Sequence, residues 1–240
     1  MKWKAAFAAW LLIAATASAK DFVVNAGDIP PFCFEADGRQ TGIVVDMLGE
    51  VAKARRVGFN IRFVAWKRAQ AETQSANDQL IIPLTRTPER ERLYTWIAPL
   101  ITYHFVIVTA GDRPAPRSIE EARGLSIGVL RGNPMEQLLP QMGFSNVVPG
   151  NTEEGNARLL QAGRIDAWVV ADIVARDVFR RAGGNPKDLH VGPRVGEPMS
   201  IFLAASPQFP EADRKLLADE LNRLRNSGEI ERIVNRYRMP

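Results

Sequence analysis

The sequence predicts an α/β fold built as two lobes, and three observations lead to this prediction. β-like stretches alternate with helical stretches along the chain, which is typical of a sheet whose strands are joined by helical crossovers. Two segments rich in Pro and Gly, residues 111–116 and 192–198, interrupt this alternation. The alternation resumes between them, as when a chain leaves one lobe, builds a second and returns. We therefore expect lobe 1 at residues 20–110 and 199–240 and lobe 2 at residues 111–198, with hinge segments at both ends of lobe 2.

The first part of lobe 1 contains a clear turn signal and a clear helix signal. Asp37-Gly38 is a dipeptide favoured in tight hairpins, and β-like residues flank it. Apolar residues at helical spacing then predict a helix over residues 43–55. Further strands are expected at residues 21–26, 60–65, 79–84 and 104–109, with a helix at 66–75 and a short helix beginning at Thr87.

In lobe 2 the expected helix starts have capping signals. Ser118 and Glu121 have the spacing of a capping box, and Asn133-Pro134 combines an N-cap residue with a proline in the first helical position. Strands are expected at residues 125–130, 147–148 and 165–170, and helices at 152–162 and from Asp172 to Gly183. The chain then returns to lobe 1 with a strand at residues 200–205 and amphipathic helices at 210–225 and 228–237.

The N-terminus has the composition of an export signal. A short basic segment with Lys2 and Lys4 precedes an uncharged stretch of small and apolar residues, and Ala17-Ser18-Ala19 matches a small-x-small cleavage site. The stretch is shorter than the ~20 apolar residues that a membrane-spanning helix needs. We therefore predict a signal peptide at residues 1–19, cleavage after Ala19 and a periplasmic mature protein. The alternative is an N-terminal helix of a cytosolic fold.

Charge and cysteine content exclude other classes of protein. The chain of 240 residues has a formal net charge of +4, but two of its basic residues lie in the predicted signal peptide. The small remaining excess, without a basic stripe, argues against a nucleic-acid partner. Cys33 is the single cysteine, so an intramolecular disulfide is excluded and the role of Cys33 stays open.

Several segments, in order, resemble the family 3 periplasmic solute-binding proteins, which serve amino-acid ABC importers. They are Pro30-Pro31-Phe32, Asp37-Gly38-Arg39-Gln40-Thr41-Gly42, Trp66-Lys67-Arg68, Thr85-Arg86-Thr87-Pro88-Glu89-Arg90, Gly128-Val129-Leu130-Arg131-Gly132, Ala162-Gly163-Arg164-Ile165-Asp166 and the final helix with Ser227-Gly228-Glu229-Ile230. The resemblance implies the type II binding-protein fold, with two crossover strands joining the lobes and a ligand cleft between them. It also implies a small carboxylate-bearing solute, an ABC permease in the inner membrane as partner, no cofactor or metal, and a monomer.

Arg90 is the strongest candidate for contact with that solute. It lies in the first turn of the short helix that begins at Thr87, and a guanidinium fork suits a carboxylate because it binds both oxygens. The resemblance implies that Arg90 holds the solute carboxylate and that Thr85 adds a hydroxyl contact. The alternative is a surface arginine that pairs with Glu89 or Glu91. Arg86 is a weaker candidate because it alternates with Thr85 and can point away.

Four further residues complete the candidate ligand-binding set. Trp66 either packs on the solute, as the resemblance implies, or lies in the core. Asn133 either opens a helix whose free amides bind the solute, or only caps that helix. The resemblance implies an ammonium-binding aspartate near residue 172, but Ala171 occupies the usual position, so Asp172 is either that ligand or an ordinary N-cap. Asp28 is included by position. The candidate set is Arg90, Thr85, Trp66, Asn133, Asp172 and Asp28.

Enzymatic alternatives have little support in the sequence. His104 and His190 are the only histidines, and neither has a Cys, Asp or Glu at metal-ligand spacing. Some relatives of these binding proteins are cyclohexadienyl dehydratases, which would need a proton donor facing the cleft. Asp28 and Asp172 are the candidates for that donor. We expect a binding protein and keep the dehydratase as the alternative.

Overall fold

Two long antiparallel strands run through the middle of a mixed sheet and join its two halves. The computed structural model describes residues 20–237, so the predicted signal peptide lies outside the described residues. The first elements are β1 (Asp21–Ala26), β2 (Phe34–Ala36), β3 (Arg39–Thr41), α1 (Ile43–Arg55), β4 (Gly58–Phe63), α2 (Trp66–Ser75), β5 (Leu80–Thr85) and β6 (Thr95–Ala110). They are followed by α3 (Ile119–Ala122), β7 (Ile127–Leu130), α4 (Met135–Gln141), β8 (Val147–Gly150), α5 (Glu153–Gln161), β9 (Ala167–Ala171) and α6 (Asp172–Arg181). The last elements are β10 (Leu189–Ala205), α7 (Glu211–Asn226) and α8 (Glu229–Tyr237), and single turns of 3-10 helix lie at Pro88–Arg90 and Pro186–Asp188.

The sheet has eight strands in the order β4-β1-β5-β10-β6-β9-β7-β8. β1 pairs in parallel with β4 and β5, and β7 pairs in parallel with β8 and β9. β10 and β6 lie between these two groups and pair antiparallel with each other and with their neighbours. Each parallel group with its helices forms one lobe, and β6 and β10 connect them. The predicted two-lobed α/β architecture is therefore confirmed.

Helices at both ends of the chain pack together on lobe 1. The apolar residues of α1, including Met47 and Val51, are buried at the spacing that predicted this helix. The last helix, α8, is fixed to the start of α1 by Tyr237. The Tyr237 hydroxyl donates to Asp46 at 3.0 Å and accepts from the Gly42 amide at 3.2 Å. Residues from the two ends of the chain thus complete the same lobe.

The predicted hairpin is present as the two-stranded sheet β2-β3. Asp37 and Gly38 both have positive φ, 52° and 69°. Such values at both central residues define the turn type that suits the right-handed twist of a hairpin. The expectation from Asp37-Gly38 is therefore confirmed. The hairpin reaches over towards lobe 2, where the guanidinium of Arg181 in α6 lies 4.0 Å from the ring centre of Phe34.

The two long strands differ from the expectation. β6 begins at Thr95, not at His104, and β10 begins at Leu189 and passes through residues 192–198. That segment interrupts the strand–helix alternation in the sequence, but in the structure it lies within a strand. Its Gly and Pro residues produce bulges instead, since the β10–β6 register shifts between Val191 and Arg194 and again between Val195 and Met199. The exact lobe boundaries stay a prediction.

The expected short helix is a single 3-10 turn, Pro88–Arg90. Thr87 has extended backbone angles and makes no side-chain cap hydrogen bond. One turn does not build up the dipole of a full helix, so the positive field at this place comes from the Arg90 side chain itself.

Candidate ligand cleft

A pocket lined by residues of both lobes lies between them and is referred to below as the cavity. Its lobe 1 wall consists mainly of Ile29, Phe32, Trp66, Pro83, Thr85, Arg90, Tyr103 and Ile201. Across from them lie Phe105 of β6 and the lobe 2 residues Leu130, Asn133, Pro134, Glu153, Ala171 and Val174. Most of these side chains are apolar, so the few polar groups determine how a solute is oriented.

Arg90 lines this cavity and contacts both lobes. One terminal nitrogen, Nη1, donates to the Thr85 carbonyl at 2.9 Å in lobe 1. The other, Nη2, donates across the cleft to the Gly132 carbonyl at 2.5 Å. Burial lowers the pKa of Arg90, an effect that the nearby Tyr94 and Tyr103 oppose. Since an arginine remains protonated at neutral pH, the cavity contains a partly desolvated cation.

If Arg90 were a surface arginine, Glu91 would be one of its expected partners, but Glu91 pairs with Arg86 instead. Arg86 binds Glu91 through both its Nε and its Nη2, at 2.9 and 2.5 Å. The Arg86 guanidinium is exposed and lies over the rings of Trp96 and Phe202, outside the cavity lining. Glu91 is thereby occupied, and Arg90 contacts carbonyl and amide oxygens instead.

Thr85 lies at the end of β5, with its side chain buried at the cavity. Its hydroxyl is 2.7 Å from the hydroxyl of Tyr103, and burial raises the pKa of Tyr103. The pair therefore remains neutral and can both donate to and accept from a solute oxygen. Tyr103 was not predicted, because β6 was expected to begin one residue after it.

Trp66 is the first residue of α2, and it is both buried and part of the cavity wall. A Cβ atom at Gly27 would lie 2.9 Å from the Trp66 ring, so a glycine is needed to let the indole pack here. The two interpretations of Trp66, core residue and cavity wall, are therefore both compatible with its position.

Asn133 caps α4 and has one hydrogen-bond donor left over. Its Oδ1 accepts from the amides of Met135 at 2.8 Å and Glu136 at 3.2 Å, which is the predicted capping role. Its Nδ2 is buried and has no hydrogen-bond partner among residues 20–237. A buried donor without a partner is costly, and this one belongs to a residue of the cavity wall.

The two candidate aspartates are not among the cavity-lining residues. Asp172 is the first residue of α6, where its Oδ1 accepts from the Ile173 amide at 2.8 Å and its Oδ2 lies 3.7 Å from Nδ1 of His104. Ala171 takes the last position of β9 and lines the cavity, so the chain has turned away by the next residue. Asp28 is exposed on a neighbouring surface pocket, beside Asn151 and Thr152. This geometry gives no support to the expected ammonium-binding role of Asp172, nor to a proton-donor role for either aspartate.

Glu153 is the acidic residue that the cavity does contain, and sequence reasoning missed it. It is the first residue of α5, after the N-cap Thr152, and is only 4% exposed. Its Oε2 accepts from the indole Nε1 of Trp168 at 3.0 Å. Desolvation by burial raises the pKa of Glu153 to about 7. A carboxyl group that changes charge near neutral pH therefore lines the cavity together with Arg90.

The described part of the chain contains neither a cluster suited to a metal ion nor a helix suited to a membrane. Between residues 20 and 237, no three His, Cys, Asp or Glu side chains are grouped so that they could hold a metal ion. None of the described helices has the length and apolar composition needed to cross a membrane. Cys33 is buried, donates to the Gly27 carbonyl at 3.1 Å and has a raised pKa because of burial.

Comparison with known proteins points to one family. Residues 22–240 match the model of the bacterial extracellular solute-binding proteins, family 3. The chain is 24% identical to the probable amino-acid-binding protein YxeM of Bacillus subtilis strain 168, over 88% of this chain and 81% of that protein. It is 26% identical to the putative amino-acid ABC transporter-binding protein PatH of Vibrio harveyi, over 96% of this chain and 94% of that protein. Among solved structures, a histidine kinase sensor domain with similarity to periplasmic binding proteins superposes with a TM-score of 0.83 at 22% identity, over 91% of this chain and 96% of that one.

Proposed function

The chain belongs to the bacterial extracellular solute-binding proteins, family 3, and on that premise we propose that it captures a small carboxylate-bearing solute, an amino acid or a related acid, for an ABC-type importer. The names of both curated relatives support this proposal, since each is described as an amino-acid-binding protein and one as a component of an ABC transporter.

The observation that carries the proposal is the half-buried Arg90 guanidinium in the wall of the interlobe cavity. A carboxylate there would receive charge-assisted hydrogen bonds, which are about twice as strong as neutral ones. The Thr85 and Tyr103 hydroxyls and the unpartnered Asn133 amide nitrogen supply further polar contacts. A buried cation in a largely apolar cavity favours an anionic group at that place in the cavity.

Closure of the lobes follows from where these groups lie. Arg90 belongs to lobe 1, and Asn133 belongs to lobe 2 beside Gly132, which already accepts a hydrogen bond from Arg90. The Gln70 side chain of lobe 1 also donates to the Gly132 carbonyl, at 3.1 Å. A solute that contacts Arg90 and Asn133 together gains both sets of contacts only when the lobes are closed. Because the solute then binds the closed state more tightly than the open state, it shifts the population towards the closed state.

The family places the protein outside the cytoplasm. We propose the periplasm as the compartment, reached through a signal peptide cleaved after Ala19, and a membrane permease as the partner of the closed lobes. The protein would act as a monomer. N-terminal sequencing of the exported protein tests the cleavage site, because a mature chain starting elsewhere than Lys20 would contradict it.

A second function on the same cleft is favoured by one observation, the buried Glu153 carboxyl with its pKa near 7. A protonated carboxyl in a largely apolar cavity can act as the general acid that a dehydratase of the cyclohexadienyl type needs. Incubation with prephenate or arogenate distinguishes the two functions. Formation of an aromatic product supports the enzyme, whereas a thermal shift without turnover supports the binding protein.

A thermal-shift screen of amino acids and small carboxylates tests the proposed function directly. We expect stabilisation by at least one carboxylate and its loss in Arg90→Ala. Stabilisation that remains in this variant would remove Arg90 from the site.

A further inference from the structure

The cavity has a second polar anchor besides Arg90. Among the residues that line it in the described part of the chain, Glu153 is the acidic one. Its carboxyl group is fixed at one oxygen by the Trp168 indole, and Trp168 is itself fully buried on β9. Glu153 is therefore a rigid acceptor on the lobe 2 wall, and lobe 1 supplies the cation.

Arg90 and Glu153 act on the same part of the cavity. The Tyr103 phenol lines the same cavity as both; burial raises its pKa, Arg90 lowers it, and Glu153 and Asp172 raise it. Tyr103 also lines the cavity and contacts Thr85, the residue whose carbonyl accepts from Arg90. A positive and a negative group on opposite lobes, near one neutral phenol, suit a solute that carries both charges.

The walls between these two groups are apolar. The side chains nearest to a bound solute would be Ile29, Phe32, Trp66, Pro83, Phe105, Leu130, Val174 and Ile201. A guanidinium or a second carboxylate on the solute would be buried against these walls without a partner, and an unpaired buried charge is strongly disfavoured. An aliphatic or aromatic side chain gains from the same burial, at about 25 cal/mol per Å² of apolar area.

Resting on the proposed function, we propose that the solute is an amino acid with an apolar side chain, and that Glu153 is the residue that binds its ammonium group. The carboxylate lies at Arg90, the ammonium group at Glu153, and the apolar side chain against the walls. Glu153 thus takes the role for which Asp172 was the sequence candidate. Asp172 is directed to His104 and the start of α6, away from the cavity lining.

The burial of Glu153 explains why an ammonium group is the favoured partner. Burial makes the carboxylate form of Glu153 unfavourable, and the Trp168 and Asn156 side chains offset only part of this cost. A cation at hydrogen-bond distance restores the charged form, because an opposite charge close by lowers the pKa of a carboxyl group. An analogue that lacks the amino group has no cation with which to do this.

Calorimetry on the mature chain tests the inference with three pairs of probes. L-leucine and L-phenylalanine are compared with their deaminated analogues, 4-methylpentanoate and 3-phenylpropanoate, and with L-arginine and L-glutamate. We expect at least one of the two apolar amino acids to bind tenfold or more tightly than its deaminated analogue and than both charged amino acids. Glu153→Gln, which keeps the shape and one acceptor oxygen, should reduce the preference for the amino group to less than threefold.

The matched control is Glu154→Gln. Glu154 is the next residue of α5, but its exposed side chain binds Arg158 on the surface at 2.6 Å. This variant should retain the full preference for the amino group. The melting temperature of each variant is measured first. If Glu153→Gln does not fold, the wild-type ratios test the apolar amino-acid class, and Glu153→Asp, whose carboxyl group is one methylene further from the cavity, tests the ammonium contact by the same loss of preference.

Three outcomes would overturn the inference. They are tighter binding of arginine or glutamate, equal binding of the deaminated acids, and an unchanged preference in Glu153→Gln. Each of these leaves the proposed function standing, because a carboxylate still binds. If none of the six probes binds, the apolar amino-acid class is wrong, and the broader carboxylate screen then decides on the proposed function separately.

Discussion

The guanidinium of Arg90 donates a hydrogen bond across the cleft to the Gly132 carbonyl, at 2.5 Å. The same side chain is held in lobe 1 by the Thr85 carbonyl. One residue therefore connects the two lobes at the point where the solute carboxylate is proposed to bind. Substitutions at Arg90 and at Gly132 should lower the affinity for the solute for different physical reasons, so their effects can be measured separately.

Arg90→Ala should weaken binding of the solute about 100-fold or more, because hydrogen bonds to charged groups contribute about 1.5–3 kcal/mol each. Isothermal calorimetry measures the loss. Arg86→Ala is the matched control, since Arg86 is an exposed arginine paired with Glu91 outside the cavity lining. Equal losses in the two variants would show that the effect comes from net charge and not from the cavity.

Gly132→Ala should lower both stability and affinity. Gly132 has a φ of +81°, a conformation that costs other residues about 1–2 kcal/mol, and a Cβ atom there would lie 2.8 Å from the Gln70 amide nitrogen. Gly163→Ala is the control, because Gly163 also has a positive φ, +65°, but no atom within 4 Å of the added Cβ. Both variants should melt earlier, and only Gly132→Ala should also lose affinity, by about fivefold, close to 1 kcal/mol. Equal affinities would mean that the Gly132 contact does not affect closure.

Arg181→Ala should favour the open form. Arg181 lies over the Phe34 ring of the other lobe, and cation–π contacts contribute about 0.5–1 kcal/mol at partly exposed sites. We expect a two- to fivefold loss of affinity and a larger radius of gyration in small-angle X-ray scattering. Arg180→Ala is the control. It removes a neighbouring arginine that binds the same Asp177 carboxylate, and it should leave both quantities unchanged. A radius that does not change in Arg181→Ala would exclude this contact as a closing element.

The contribution of Glu153 to the stability of the ligand-free protein should fall as the pH rises from about 4.5 to about 7. The pKa of Glu153 is raised from 4.5 to about 7 on folding, so between these values the folded state keeps a proton that the unfolded state releases. The unfolding free energy is then highest below pH 4.5 for this group and decreases up to about pH 7, by on the order of 3 kcal/mol in total. Urea denaturation of wild type and Glu153→Gln between pH 5 and 8 measures how the unfolding free energy changes with pH. The charges of Tyr103 and Arg90 stay unchanged in this range and therefore do not contribute to the difference. A wild-type slope identical to that of the variant would contradict the assignment.

Asp172→Ala should change the affinity for the solute less than twofold. Its side chain is 41% exposed and contacts His104 and the start of α6, so little depends on it at the cavity. Calorimetry under the conditions used for Glu153→Gln makes the comparison direct. A tenfold loss in Asp172→Ala would restore Asp172 as the ammonium-binding residue.

Short-range signals in the sequence predicted more of the molecule than long-range contacts did. Helix α1, the hairpin turn at Asp37-Gly38 and the cap at Asn133 follow from neighbouring residues and were found where expected. The start of β6 was missed because Pro99 interrupts the β-like run. In the structure Pro99 is exposed and lies where the β6–β10 register shifts, a position that tolerates proline.

The candidate cleft was predicted only in part, because short-range signals identify some of its residues and long-range contacts determine the others. Arg90 and Thr85 belong to one local motif, which carried the expectation. Glu153 follows the N-cap Thr152, where an acidic residue ordinarily faces solvent and favours the helix dipole. Nothing in the sequence indicates that Trp168 and the facing lobe cover it. Only the packing of β9 against α5 distinguishes Glu153 from its exposed neighbour Glu154.

The central position of β10 has a consequence for the order in which the protein can mature. Within lobe 1, β5 pairs with β1 on one side, and residues 201–205 of β10 pair with β5 on the other. A chain that emerges from its N-terminus therefore cannot complete lobe 1 until its last forty or so residues have arrived. Lobe 2 is contiguous between β6 and β10 and can assemble first. During folding, the half of the molecule that contains Arg90 would be the last to become protected against proteases.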